Sequence, residues 1–142
     1  MKDWLIYSLL ALIFWGLWVV LPKFAIKYID VKNDFIYQTI GGVIVGLLVF
    51  GEMKFQLQWN NKGVVFGLLA GISGALGTYY FLKAMETGKS FVVIPLTALY
   101  PIIGVLLSVF LFKELITIKQ LAGVIFAVNS VIMLVSKQKT RE

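Results

Sequence analysis

The chain has 142 residues, of which 60% are apolar and 14% charged, with a mean hydropathy of +0.91; soluble domains carry about a quarter charged residues, so a soluble class is excluded. Thirteen Lys and Arg stand against seven Asp and Glu, but the cations sit singly or in short tails between apolar runs, which assigns them to the loops of a membrane protein and leaves no basic face for nucleic acid. With no Cys and no His, disulfides, thiol nucleophiles and zinc sites are out, and neither a metal nor a cofactor is expected.

Five apolar segments follow one another, at 4–21, 35–50, 63–82, 90–112 and 118–136, joined by short connectors that hold nearly every charge. Each is read as a transmembrane helix. The expected domain is a single five-helix unit over residues 4–136, with a basic polar tail at 137–142. Met1-Lys2-Asp3 makes a poor signal n-region and no A-x-A-like cleavage site follows the first run, so segment 1 is read as a retained helix.

Segment 1 places Ser8, Trp15, Trp18 and Pro22 on one helical face. Trp4 fits the membrane–water interface; Trp15 and Trp18 read first as packed or belt tryptophans, and more sharply as the aromatic wall of a solute cavity. Segment 2 carries Gln38 and Thr39 near one end, then Gly42-x-x-x-Gly46, a close-approach motif.

Segment 3 holds Gly67, Gly71, Gly74 and Gly77 at offsets of 0, 4, 7 and 10, a single glycine stripe. Lipid supplies no hydrophobic drive between helices, so bare backbone favours close dispersion contact. One glycine costs a helix up to about 1 kcal/mol against alanine, so four on one face call for compensation. Packing is the first explanation; a contact that slides during function is the second. Gly88 reads as a helix stop.

Segment 4 has no charge between Lys89 and Lys113, and at about 1.5 Å per residue it crosses the roughly 30 Å hydrocarbon core. Yet it carries Pro95 and Pro101. Thr97, Pro101, Gly104 and Ser108 share one face. Proline deletes a backbone bond and clashes with the preceding turn, which membrane helices tolerate only where neighbours or water satisfy the freed carbonyl. Pro95, near the helix start, needs no special account. For Pro101 a kink bordering a cavity and a purely structural bend stand equal. Segment 5 has Gly123-x-x-x-Ala127, a small-residue pairing motif, and Asn129 mid-segment, expected to bond to another helix or another chain.

Several of these residues carry a family likeness: Trp15-Gly16 with Lys23 beyond it, the run Tyr79-Tyr80-Phe81-Leu82-Lys83-Ala84-Met85, then Pro95-Leu96, Pro101, the Leu111-Phe112-Lys113-Glu114 corner and Gly123. With them the chain resembles the EamA family of the drug/metabolite transporter superfamily, although Lys113 replaces the usual Gly before the Glu. Typical members have ten helices in two inverted halves, so the resemblance implies an all-α membrane protein formed as one half-repeat and completed by dimerisation. It implies a multi-pass transporter of small metabolites in the plasma or inner membrane, its cavity lined chiefly by helices 1, 3 and 4. It places Glu114 at the turn into the last helix, as a cap rather than a solute contact. The four-helix small multidrug resistance proteins are relatives with a membrane-embedded glutamate in helix 1. No counterpart exists here: the acids, Asp34 among them, fall at segment ends or in connectors, which speaks against a buried carboxylate for protons or cationic drugs.

Five helices put the termini on opposite sides. Lys2, Lys54, Lys62, Lys113 and Lys119 fall on one side and Lys23, Lys27, Lys32, Lys83, Lys89, Lys137, Lys139 and Arg141 on the other. The positive-inside rule therefore favours N-out, C-in by a small margin, as for a chain that inserts both ways and pairs head-to-tail. The reading that follows is a transporter, exporter or exchanger, working by alternating access as an antiparallel homodimer. Trp15, Trp18, Tyr80, Thr97 and Tyr100 are its expected solute-lining residues; Gly67, Gly71, Gly74, Gly77, Pro95, Pro101 and Gly104 are its packing and hinge positions. Neutral or zwitterionic solutes suit a cavity without acid or base. The alternative is a non-transporting scaffold or accessory subunit, in which the same residues only pack. An enzyme is not expected, since no pair of carboxylates shares a helix.

Overall fold

The computed structural model describes residues 3–113 and 115–136; Glu114 and the tail at 137–142, to which a cap and a basic terminus were assigned, lie outside them. All regular structure is helical, in the order α1 (Asp3–Ala25), α2 (Val31–Glu52), α3 (Asn61–Thr87), α4 (Ser90–Thr97), α5 (Tyr100–Phe112) and α6 (Ile118–Ser136). By length and hydropathy α1, α2, α3 and the stretch Ser90–Phe112 can each cross a bilayer, and α6 provides a shorter apolar helix. The all-α membrane class and the five apolar segments are thus present, with segment 4 split in two.

The split follows from Pro101, second residue of α5. Its ring nitrogen cannot donate to the Thr97 carbonyl, and its bulk disfavours continuous helix in the turn before it. The chain responds with a tight turn: Leu99 N–H donates to the Leu96 carbonyl and Ile102 N–H to the Leu99 carbonyl. Pro95 stays inside α4. Pro22, expected in a connector, instead lies inside α1 and is buried, so that helix runs four residues further.

The chain divides into two compact units, Met1–Thr87 and Gly88–Glu142. In the first, α2 and α1 both pack on α3. The buried side chains are Pro22, Val31, Asp34, Phe81, Leu82 and Met85, with Leu82 and Met85 at 0% exposure. All belong to the end where α1 finishes, α2 begins and α3 finishes. Elsewhere these helices present large apolar side chains outward, as helices facing lipid or another chain do.

In the second unit α4 packs on α6. Alongside, α5 and α6 frame a groove of about 420 Å³ lined by Pro101, Val105, Ser108, Gln120, Gly123 and Ala127 among others. Thr117 and Gln120 cap α6 reciprocally: Thr117 N–H donates to Gln120 Oε1 at 2.9 Å and Gln120 N–H to Thr117 Oγ1 at 3.4 Å. Asn129 is exposed and its side chain has no hydrogen bond to another described residue. Of the two partners expected for it, another helix or another chain, no other helix among the described residues supplies a bond.

Lys113 closes α5 with φ 54, ψ 34, the left-handed conformation. A Cβ there costs about 1 kcal/mol, which glycine avoids. The glycine that the family pattern has at this corner therefore fits this backbone better than lysine does. Lys113→Gly is expected to stabilise the protein by up to about 1 kcal/mol, after its entropic cost in the unfolded chain, measurable as a raised thermal midpoint in detergent.

Candidate functional site

The charged side chain buried among the described residues is Asp34, 4% exposed. Local capping puts it there. Asp30 takes an extended conformation and accepts the Asn33 N–H at 2.8 Å, starting α2 at Val31 rather than at Phe35, where the apolar run begins. That hydrogen bond, with smaller help from the Asn33 side chain and Lys32, holds the Asp30 carboxyl below the usual carboxylate value. Asp34 thereby becomes part of the first helical turn, one turn before Gln38 and on its face. This corrects the expectation that no acid is buried among the helices: hydropathy marks where apolar residues begin, whereas the helix begins at its cap.

Asp34 does not serve the free amides of the α2 N-terminus, the ordinary role of an acid in a first turn. Its Oδ2 accepts from Gln38 Nε2 at 3.1 Å, and Gln38 Oε1 accepts from the Trp18 indole N–H at 2.9 Å. The two bonds need opposite ends of one carboxamide, which fixes its orientation. Trp18 is stacked on Phe81 with ring centroids 5.3 Å apart. Indole, carboxamide and carboxylate thus form one chain joining α1 to α2, backed by α3.

A second bond ties the same end. Lys23 Nζ donates to the Met85 carbonyl at 2.8 Å. Met85 lies in the last turn of α3, where carbonyls have no intrahelical N–H, and the ammonium complements the negative end of the helix. Nearby, Phe35 meets Tyr79 edge-on at 5.5 Å and Tyr79 meets Tyr80 at 5.8 Å, with the Lys83 ammonium 4.9 Å from the Tyr79 ring centroid.

The expected lining residues fare unequally. Trp18 is half-buried within the network, whereas Trp15 is 61% exposed and Tyr80 65% exposed. Trp15 lies about one turn further from the tied end, so its shared face does not bring it to α3. In the second unit, Thr97 is half-buried and its hydroxyl lies 2.8 Å from the Val93 carbonyl and 3.0 Å from that of Ile94, both in its own helix. Tyr100 is 59% exposed at the start of α5. Gly67, Gly71, Gly74, Gly77 and Gly104 all face open space: a methyl group built on any of them meets nothing within 4 Å. Among the described residues of the first unit, nothing packs against the glycine stripe of α3 at these positions.

Sequence reasoning missed Asp34 and gave Gln38 and Lys23 no partner. The Asp30–Asn33 cap and the i, i+4 spacing of Asp34 and Gln38 were the available signals. No three acidic side chains form a metal cluster among the described residues.

The sequence profile of the EamA-like transporter family matches residues 2–136. An uncharacterized protein of Methanocaldococcus jannaschii is 26% identical over 137 residues, covering 94% of this chain and 97% of the relative. No solved structure matches the chain.

Proposed function

Because the chain belongs to the EamA-like transporter family, a family of multi-pass membrane transporters of small molecules, we propose that it works as an exporter or exchanger of small metabolites. It acts by alternating access, as an antiparallel homodimer in the plasma or inner membrane, the single five-helix domain being one half of an inverted repeat. The observation that carries this reading is the open glycine stripe of α3. At four glycines a built Cβ meets no described atom within 4 Å, and a helix gains from such a bare face only when another helix lies against it. The exposed Asn129 side chain, without a hydrogen bond to another described residue, gives the same reading a second support, since a carboxamide in hydrocarbon gains from a partner.

Alternating access requires one end to close while the other opens. The α1–α3 end tied by Trp18–Gln38–Asp34 and Lys23–Met85 is the closed end in this reading, and Pro101 with the glycine faces supplies the movement. Trp15, Trp18, Tyr80, Thr97 and Tyr100 are proposed to line the pathway.

The test is solute exchange: purified protein in liposomes loaded with a mixed metabolite pool, with movement followed by mass spectrometry. Selective, saturable movement supports the reading; movement of no solute removes it and leaves the scaffold alternative. Thr97→Val and Tyr100→Phe separate the two roles. Both keep volume, and the amide partner of the Ile94 carbonyl remains, so folding is expected to change by less than about 1 kcal/mol. Transport is expected to fall about tenfold, the effect of about 1.4 kcal/mol. A pure scaffold tolerates both.

A further inference from the structure

We infer that Asp34 is the docking point for a protonated amine, so that the solutes of this transporter include ones bearing a primary ammonium group; this deepens, and rests on, the transporter reading above. A carboxyl taken out of water stays ionised only with charge or several donors around it, and otherwise holds a proton that an arriving cation must displace. Among the described residues Asp34 has one side-chain donor, the neutral Gln38 amide, at 3.1 Å, longer than the 2.7–2.9 Å typical of charge-assisted bonds.

The surrounding cations are engaged elsewhere. Lys23 donates to the Met85 carbonyl, Lys27 lies over the Phe24 ring, Lys83 over the Tyr79 ring, and Lys32 acts on Asp30. Among the described residues, Asp34 therefore lacks the positive partner that acids within membrane helices ordinarily have. An ammonium group satisfies it better than the carboxamide, with N–H donors where Gln38 Nε2 now points and the Trp18–Phe81 rings close by. Because Asp34 is 4% exposed, the amine reaches it only when the tied end parts.

Benzylammonium and its neutral counterpart benzyl alcohol provide the probe pair. Binding is measured by calorimetry on the protein in lipid nanodiscs, with empty nanodiscs subtracted. Saturable benzylammonium binding is expected, at least about tenfold tighter than that of the alcohol, the factor a charge-assisted bond supplies. Asp34→Asn is expected to remove that preference, while Gln38→Leu, which deletes the competing internal donor, keeps or strengthens it. The alcohol comparison needs no variant, so it decides the matter even if Asp34→Asn fails to fold. Equal binding of amine and alcohol, no saturable amine binding, or an unchanged preference in Asp34→Asn overturns the inference. Solute exchange that persists without any amine binding overturns the solute class alone; amine binding without any exchange overturns the transporter reading alone.

Discussion

Lys23→Met is expected to destabilise the protein by about 1.5–3 kcal/mol, the range for a hydrogen bond with a charged partner, towards the lower end because Lys23 is half-buried. Methionine keeps much of the length and apolar stem of lysine but leaves the Met85 carbonyl without its donor at 2.8 Å. That carbonyl belongs to a residue at 0% exposure, and the final turn of α3 offers no N–H to replace the ammonium. The charge adds to the effect by opposing the negative helix end. Reversible unfolding in mixed micelles reads the difference. A change below about 0.5 kcal/mol would show that the tie between α1 and α3 is ornamental. If the proposed alternating access holds, transport responds as well, because a weakened Lys23–Met85 tie favours opening of that end.

Leucine at both Gly71 and Gly74 is expected to act in opposite directions on the single copy and on the assembly. Within one copy there is open space at both positions, and each replacement raises helix propensity by up to about 1 kcal/mol. The isolated protein should therefore lose nothing in stability. In the proposed dimer, two leucines force apart backbones that glycine would allow to touch. A loss of at least about 2 kcal/mol is expected, which raises the dimer dissociation constant about 30-fold. Energy transfer between labelled copies diluted in lipid measures that constant. An unchanged dimer would mean that α3 turns this face to lipid.

These two variants probe features of different legibility. The glycine stripe is visible as spacing alone, and so is the break before Pro101, because proline sterics are local and act within one turn. Apolar runs located the five segments for the same reason. Their ends were less legible. α2 starts before the apolar run at Phe35 because Asp30 caps it, and α1 continues past Pro22, whose ring is buried at the α1–α3 end. The Lys23–Met85 bond joins residues 62 positions apart, and no periodicity reports a contact of that range. Nor does hydropathy distinguish a solvated Asp34 from one enclosed by three helices. The unequal exposure of Trp15 and Trp18 has the same origin: one helical face can meet a neighbour over only part of its length.

The central claim is that one chain forms half of a pathway and an inverted second copy supplies the rest. The absence of cysteine makes a direct test clean: a single cysteine at Lys2 or at Arg141, labelled in sealed right-side-out vesicles with an impermeant maleimide. The account predicts that each position is labelled in part of the population, because copies lie in both orientations. Complete labelling at one terminus with none at the other, in every copy, would contradict it.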